Sequence, residues 1–205
     1  MKGNVLFYIR YLDNRYQIVR QELNGAAEVL LERAKPSYTI CFDEKMGNLL
    51  FTAHQNNNAT NVFEYSFVTK AIQPTSFAAI VFPNKVQSVF YEAIQDVLYF
   101  VGINGEKPTI YKVSRGAHEI DTRFSGFEWI HSVQKGKGNN TLLITGTYDH
   151  TQGIWSLDME KSVPKLVYVH PEREIVEAQL EHNALVYSYH GQRMDLITMD
   201  FNGET

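Results

Sequence analysis

The chain has 205 residues, 44% of them hydrophobic and 20% charged, enough to bury a core and too apolar for a disordered segment. Nineteen basic and 23 acidic residues are spread along it to a net charge of −4, which excludes a polycationic surface for nucleic acid. No apolar run reaches the roughly 20 residues of a membrane helix, and Val5 to Ile9 is too short for a signal-peptide core. The expected location is therefore the cytoplasm, or outside it with a leader removed ahead of this numbering.

The first elements set a pattern that the rest of the chain repeats. Val5-Leu6-Phe7 reads as a strand, Ile18-Val19 opens a second after a polar loop, Asn24-Gly25 turns the chain, and Val29-Leu30-Leu31 forms a third. Tyr38 to Phe42 then leads through Gly47-Asn48 into Leu49-Leu50-Phe51, with Val62-Phe63 behind it. The third copy uses Val86 to Tyr91, Leu98-Tyr99-Phe100 and Ile110-Tyr111. The fourth uses Phe127 to Val133, Leu142-Leu143-Ile144, Ile154-Trp155 and Leu166-Val167-Tyr168. The fifth uses Glu174 to Leu180, Leu185-Val186-Tyr187 and Leu196-Ile197. The apolar runs begin at 5, 49, 98, 142 and 185, at spacings of 44, 49, 44 and 43.

Four short strands in up-and-down order at this period make a propeller blade, and blades must stack round an axis because one alone cannot bury both its faces. Helical repeats would need apolar residues at i, i+3, i+4 and i+7, which only Tyr16 to Leu31 approaches, and Asn24-Gly25 interrupts it. A β-sandwich predicts no repeating register. The expected fold is all-β: a single β-propeller domain over residues 1–205 with five recognisable four-stranded repeats. The first repeat enters at its second strand and the last stops after its third. That pattern fits a five-bladed ring, an incomplete six-bladed ring, or a homo-oligomer that completes its blades by exchanging strands.

Phe42-Asp43-Glu44-Lys45-Met46-Gly47-Asn48-Leu49-Leu50-Phe51-Thr52, followed by Asn61-Val62-Phe63-Glu64-Tyr65, resembles the TolB-like propeller repeat. In that repeat an inner strand ends in a Ser-Pro-Asp-Gly-type turn, then come an Ile-Ala-Phe-type strand, a polar loop and an Ile-Tyr-Val-type strand. Ser and Pro are missing from this turn, and later copies offer only Ala93-Ile94-Gln95-Asp96, Lys135-Gly136-Lys137-Gly138 and Glu181-His182-Asn183. The resemblance implies a fold, and the family is too diverse in activity to imply a function. It also implies where ligands meet the molecule, on the face built from the inter-blade connections and the loops between second and third strands. Those loops are Tyr11 to Arg15, His54 to Thr60, Ile103 to Pro108, Thr147 to Gln152 and Tyr189 to Asp195. They carry Arg15, His54, Tyr148, Asp149, His150, Tyr189, His190 and Arg193, a set suited to hydrogen-bonding and stacking on a polar ligand, although surface loops are polar in any case.

No cofactor or metal is expected, since no two of the seven histidines have zinc-pair spacing, even though His150 and His190 occupy equivalent loops of adjacent blades. Cys41, within Tyr-Thr-Ile-Cys-Phe, reads as a small core residue, and His131 as facing a polar channel or a satisfied core position. Trp155 with Tyr111, and Phe63 with Val19, are core by repeat register. A glycosidase needs two facing carboxylates, and among Asp43, Glu92, Glu128, Glu174 and Glu177 the weak candidates for such a pair are Glu128 and Glu177. No nucleophile elbow, phosphate loop or dinucleotide fingerprint is present. The sequence thus points to a non-enzymatic propeller that binds a protein or peptide. Two alternatives stand beside it: a glycan-binding or glycoside-cleaving propeller with an axial pocket, and the propeller part of a larger enzyme.

Overall fold

The fold was analysed in a computed structural model that describes residues 5–33, 37–54, 60–73, 75–77, 85–117, 119–138, 140–181, 184–189 and 196–200. These residues form 18 strands and no helix, so none is long and apolar enough to cross a membrane. The strands fall into five consecutive antiparallel units. The first holds β1 (Val5–Leu12), β2 (Arg15–Glu22) and β3 (Ala27–Arg33). The second holds β4 (Ser37–Asp43), β5 (Asn48–His54), β6 (Thr60–Ser66) and the short β7 (Ala71–Gln73). The third holds β8 (Lys85–Glu92), β9 (Val97–Asn104), β10 (Lys107–Ser114) and β11 (Asp121–Phe124). The fourth holds β12 (Trp129–Lys135), β13 (Thr141–Tyr148), β14 (Thr151–Asp158) and β15 (Val163–Tyr168). The fifth holds β16 (Ile175–Glu181), β17 (Ala184–Tyr189) and β18 (Leu196–Asp200).

Each unit is a blade, and the alternation of side chains along its strands sends successive residues to opposite neighbours. Leu49 and Phe51 of β5 face the first blade, whereas Leu50 between them faces the third. The buried residues accordingly separate into four clusters, one for each seam between consecutive blades. Phe51, Phe100 and Ile144, which hold the same position in three blades, are all fully buried. Strand pairing moves one boundary. Tyr8 opposes Val19 as Ile144 opposes Trp155, so the equivalent of Leu142 is Leu6 rather than Val5, and the first spacing is 43 rather than 44.

The inner strands β4, β8, β12 and β16 pack one against the next, which places them round a common axis. Each carries a bulge at the same level, between Ser37 and Ile40, Val86 and Ser88, Ile130 and Ser132, and Ile175 and Glu177. A bulge adds one residue and re-aims side chains. Just past it, hydroxyls stitch neighbouring blades: Val133 N donates to Ser88 Oγ at 3.2 Å, and Thr145 Oγ1 donates to the Val176 carbonyl at 3.0 Å.

The described residues of the first and last blades form no extended contact with each other. The side of the first blade turned away from the second is partly polar where the matching sides of the other blades are apolar. Arg10 Nε donates to Gln17 Oε1 at 2.7 Å, Gln17 Nε2 to Glu32 Oε2 at 2.7 Å, and Tyr8 Oη to Gln21 Oε1 at 3.2 Å. Leu6, on the same face, is 51% exposed.

The turns at the end opposite the expected binding loops hold the second and third blades together. Asp43 Oδ1 accepts the backbone N–H groups of Lys45 and Met46, closing the β4–β5 turn. Its Oδ2 takes Arg115 Nη2 at 2.7 Å. Arg115 Nε reaches Asp96 Oδ1 at 2.8 Å, Nη1 donates to Ser76 Oγ, and the guanidinium lies 4.6 Å from the Phe77 ring centroid. Lys45 and Tyr91 complete the shell of Asp96. Glu92 caps the β8–β9 turn in the same manner, accepting N–H groups from Ile94 and Gln95.

Candidate functional site on the loop face

The loops between second and third strands of the first and fourth blades are shorter than the sequence suggests. Asp13 and Asn14 (φ 50° and 61°), like Asp149 and His150 (φ 47° and 61°), form two-residue turns with both residues left-handed, the geometry that matches strand twist in a tight hairpin. Arg15 is therefore the first residue of β2, where it pairs with Glu32 at 3.4 Å in an exposed ion pair. His54 ends β5; its carbonyl accepts Arg33 Nη2 at 2.9 Å, and its Nδ1 lies 3.5 Å from Thr60 Oγ1.

Two of the expected loop residues are packing residues. The Tyr148 ring sits 5.3 Å from that of Phe127 and 5.2 Å from that of Trp155, inside the seam between the third and fourth blades. Tyr189 is only 7% exposed, covered by His170 at 5.2 Å and by the Arg173 guanidinium at 4.4 Å. His190 and Arg193 lie outside the described residues.

The residues this face does bring together belong to the boundary of the fourth and fifth blades. Glu128 precedes β12 and is docked by its own N–H, which donates to the Thr147 carbonyl at 2.9 Å. Its Oε1 accepts the backbone N–H of His150 at 2.9 Å and lies 3.1 Å from His150 Nδ1. Trp129, the first residue of β12, pairs with Thr147 and so projects from the side of the sheet that faces the fifth blade. It remains 43% exposed. Its indole N–H donates to His131 Nδ1 at 3.2 Å, and His131 Nε2 bonds Glu174 Oε1 at 2.8 Å. Gln152 Nε2 donates to the Ile175 carbonyl at 3.0 Å and ties the turn to the next inner strand.

Trp129 is the residue that sequence reasoning missed, because an aromatic residue inside the strand Phe127 to Val133 is not distinguished by periodicity from one that fills a seam. A signal was available in the inner strands. Val86-Gln87-Ser88-Val89 and Ile130-His131-Ser132-Val133 both place two non-apolar residues between core positions, which breaks strict alternation and marks the bulge.

The geometry does not join Glu128 to Glu177. Register makes Glu177 the equivalent of Ser132, four positions beyond Glu128, a separation of roughly 10–13 Å along the strand direction that exceeds the spacing of glycosidase carboxylates. Glu128 turns to His150, while Glu177 lies with Ser188 on the side of the fifth blade turned away from the fourth. Glu177 is exposed there, and desolvation by the surrounding protein atoms raises its carboxyl above the ordinary glutamate range.

Asp43 and Glu92 serve as turn caps, and Glu174 is engaged with His131. Cys41 packs against the seam between the second and third blades, and burial pushes its thiol up to about 12, which removes it as a nucleophile at neutral pH. No group of three or more His, Cys, Asp or Glu able to hold a metal occurs among the described residues.

The backbone architecture can be compared with solved structures. TolB from Acinetobacter baumannii superposes with a TM-score of 0.75 at 11% identity, over 98% of this chain and 51% of that one. The chain has the fold of a TolB-like β-propeller. This TolB-like propeller also matches the nidogen/laminin complex structure, with a TM-score of 0.70 at 12% identity over 98% of this chain and 73% of that one. The β-propeller domain of the Trilobed protease from Pyrococcus furiosus, described as having an open velcro topology, gives 0.56 at 12% identity over 100% of this chain and 81% of that one. The chain thus spans about half the length of the TolB chain. No family profile and no curated protein matches its sequence.

Proposed function

We propose that this TolB-like propeller is a binding module that takes a protein or peptide segment on its loop face, next to the axial end of the fourth and fifth blades. The observation that carries this reading is Trp129: a large aromatic side chain, part exposed, oriented by a hydrogen bond, and rooted on an inner strand rather than on a mobile loop. Preorganised tryptophans are the residues on which protein interfaces concentrate their energy. The exposed His150, held by Glu128, and the polar Gln152 flank it. The similarity to the nidogen/laminin complex structure and to TolB is compatible with such a role and supports no particular partner.

The test is selection from a random peptide phage library on the wild-type protein, followed by affinity measurement on Trp129→Ala and His150→Ala. Peptides that bind the wild type should lose about tenfold or more on Trp129→Ala, the loss typical of an interface anchor. Absence of any enriched peptide, or equal affinity for all three proteins, would overturn the reading.

A further inference from the structure

We propose that His131 is a proton-operated latch on Trp129, so that the aromatic anchor of the loop face is held at neutral pH and released under mildly acidic conditions. This rests on the reading of that face as the binding surface. The argument begins with donors and acceptors. An indole N–H can only donate, so the 3.2 Å contact from Trp129 Nε1 requires His131 Nδ1 to be an acceptor without a proton. The imidazole proton must then sit on Nε2, where it donates to the Glu174 carboxylate at 2.8 Å. One tautomer of the neutral ring satisfies both neighbours.

Adding a proton leaves only one of these bonds intact. The Nε2–H bond to Glu174 becomes charge-assisted and tightens, whereas Nδ1 gains a hydrogen that points at the indole N–H. Two donors cannot share that line, and Trp129, part exposed and first in its strand, is the partner able to move. His131 itself is fixed, since it is the extra residue of the β12 bulge and its neighbour Ser132 is bonded to Thr145 through both N–H and hydroxyl. Histidine titrates in the pH range where such a switch operates.

Other charged groups stand at this end of the elements packed against β12. They include Lys85 on β8, Glu106 and Lys107 at the β9–β10 turn, Glu128, Asp149 and His150 beside the β13–β14 turn, and Glu172, Arg173 and Glu177 at the entry to β16. Of these, His150 is the other histidine, and its partner is Glu128 rather than Trp129. It therefore supplies the control.

The wild-type protein reports the latch directly, because its two tryptophans give two indole N–H cross-peaks in a nitrogen-15 spectrum. Trp155 donates to the Gly146 carbonyl inside a seam, and Trp129→Phe identifies the other peak. Between pH 8 and pH 5 the Trp129 peak should shift along a single titration curve and exchange faster with solvent, while the Trp155 peak stays fixed. His131→Asn keeps an acceptor where Nδ1 stood but cannot titrate, and it should abolish the shift; His150→Gln should preserve it. A Trp129 peak that does not move, or one that moves equally in His131→Asn, would overturn the latch. The readout uses no partner, so its failure is distinct from failure of peptide capture.

Discussion

Arg115→Ala is expected to lower stability by about 3–5 kcal/mol, the cost of removing one member of a buried ion pair, and to lower Tm by roughly 10 °C. The Asp43 side chain has no solvent exposure, and in the variant it would keep its two turn N–H groups but lose its guanidinium partner. Asp96 would lose a second cationic partner, and Phe77 and Tyr91 would lose the guanidinium that covers them. Arg115→Lys should recover only part of the loss, because an ammonium cannot span Asp43, Asp96 and Ser76 from one planar fork. The difference also has a pH signature. Burial alone would raise the Asp96 carboxyl, but bonds from Lys45, Tyr91 and Arg115 outweigh it and hold the group below the ordinary aspartate range. A depressed acid stabilises the fold above its unfolded value and loses that contribution as pH falls through the folded one. Calorimetry should therefore show the gap between wild type and Arg115→Ala narrowing below about pH 4.

Gly146→Ala is the second large effect, expected at about 3 kcal/mol with a fall in Tm of roughly 6–12 °C. A Cβ at this position would fall on the Trp129 carbonyl oxygen and within 3.1 Å of Ile130 Cα, so the neighbouring strand itself must shift. Gly146 opposes Ile130 immediately before the bulge, and its carbonyl accepts the Trp155 indole. Denaturant titration measures the loss. The displacement of β12 should also disturb the Trp129 indole resonance, which links this packing site to the loop face. Unchanged stability would mean that β12 yields freely and that the bulge does not fix Trp129.

The architecture was legible in the sequence because blade packing depends on apolar residues recurring at a fixed interval, and Leu49, Leu98, Leu142 and Leu185 do so visibly. The first blade was read one residue early because Val5 and Leu6 are both apolar, and only pairing with Gln21 shows which of them is Leu142's counterpart. The site was less legible. The binding loops are implied by the resemblance to the TolB-like repeat, and their polarity cannot separate Asp149 and His150, present as turn residues, from residues aimed at a ligand. Tyr189 was placed on the loop face by its number, yet Arg173 and His170 from the inter-blade connection close over it. The pairing of Trp129 with His131 depends on one inserted residue, a feature that no periodic reading registers.

The four separate seams also bear on how such sequences diverge. Among the described residues each seam is made by two neighbouring blades and shares no side chain with the others, so a change of volume at Phe51 has to be answered only in the first or second blade. Substitution can then proceed seam by seam, with compensation always local and the backbone never wholly repacked. A propeller built this way can change most of its residues and keep its shape, consistent with a superposition at TM-score 0.75 between chains only 11% identical.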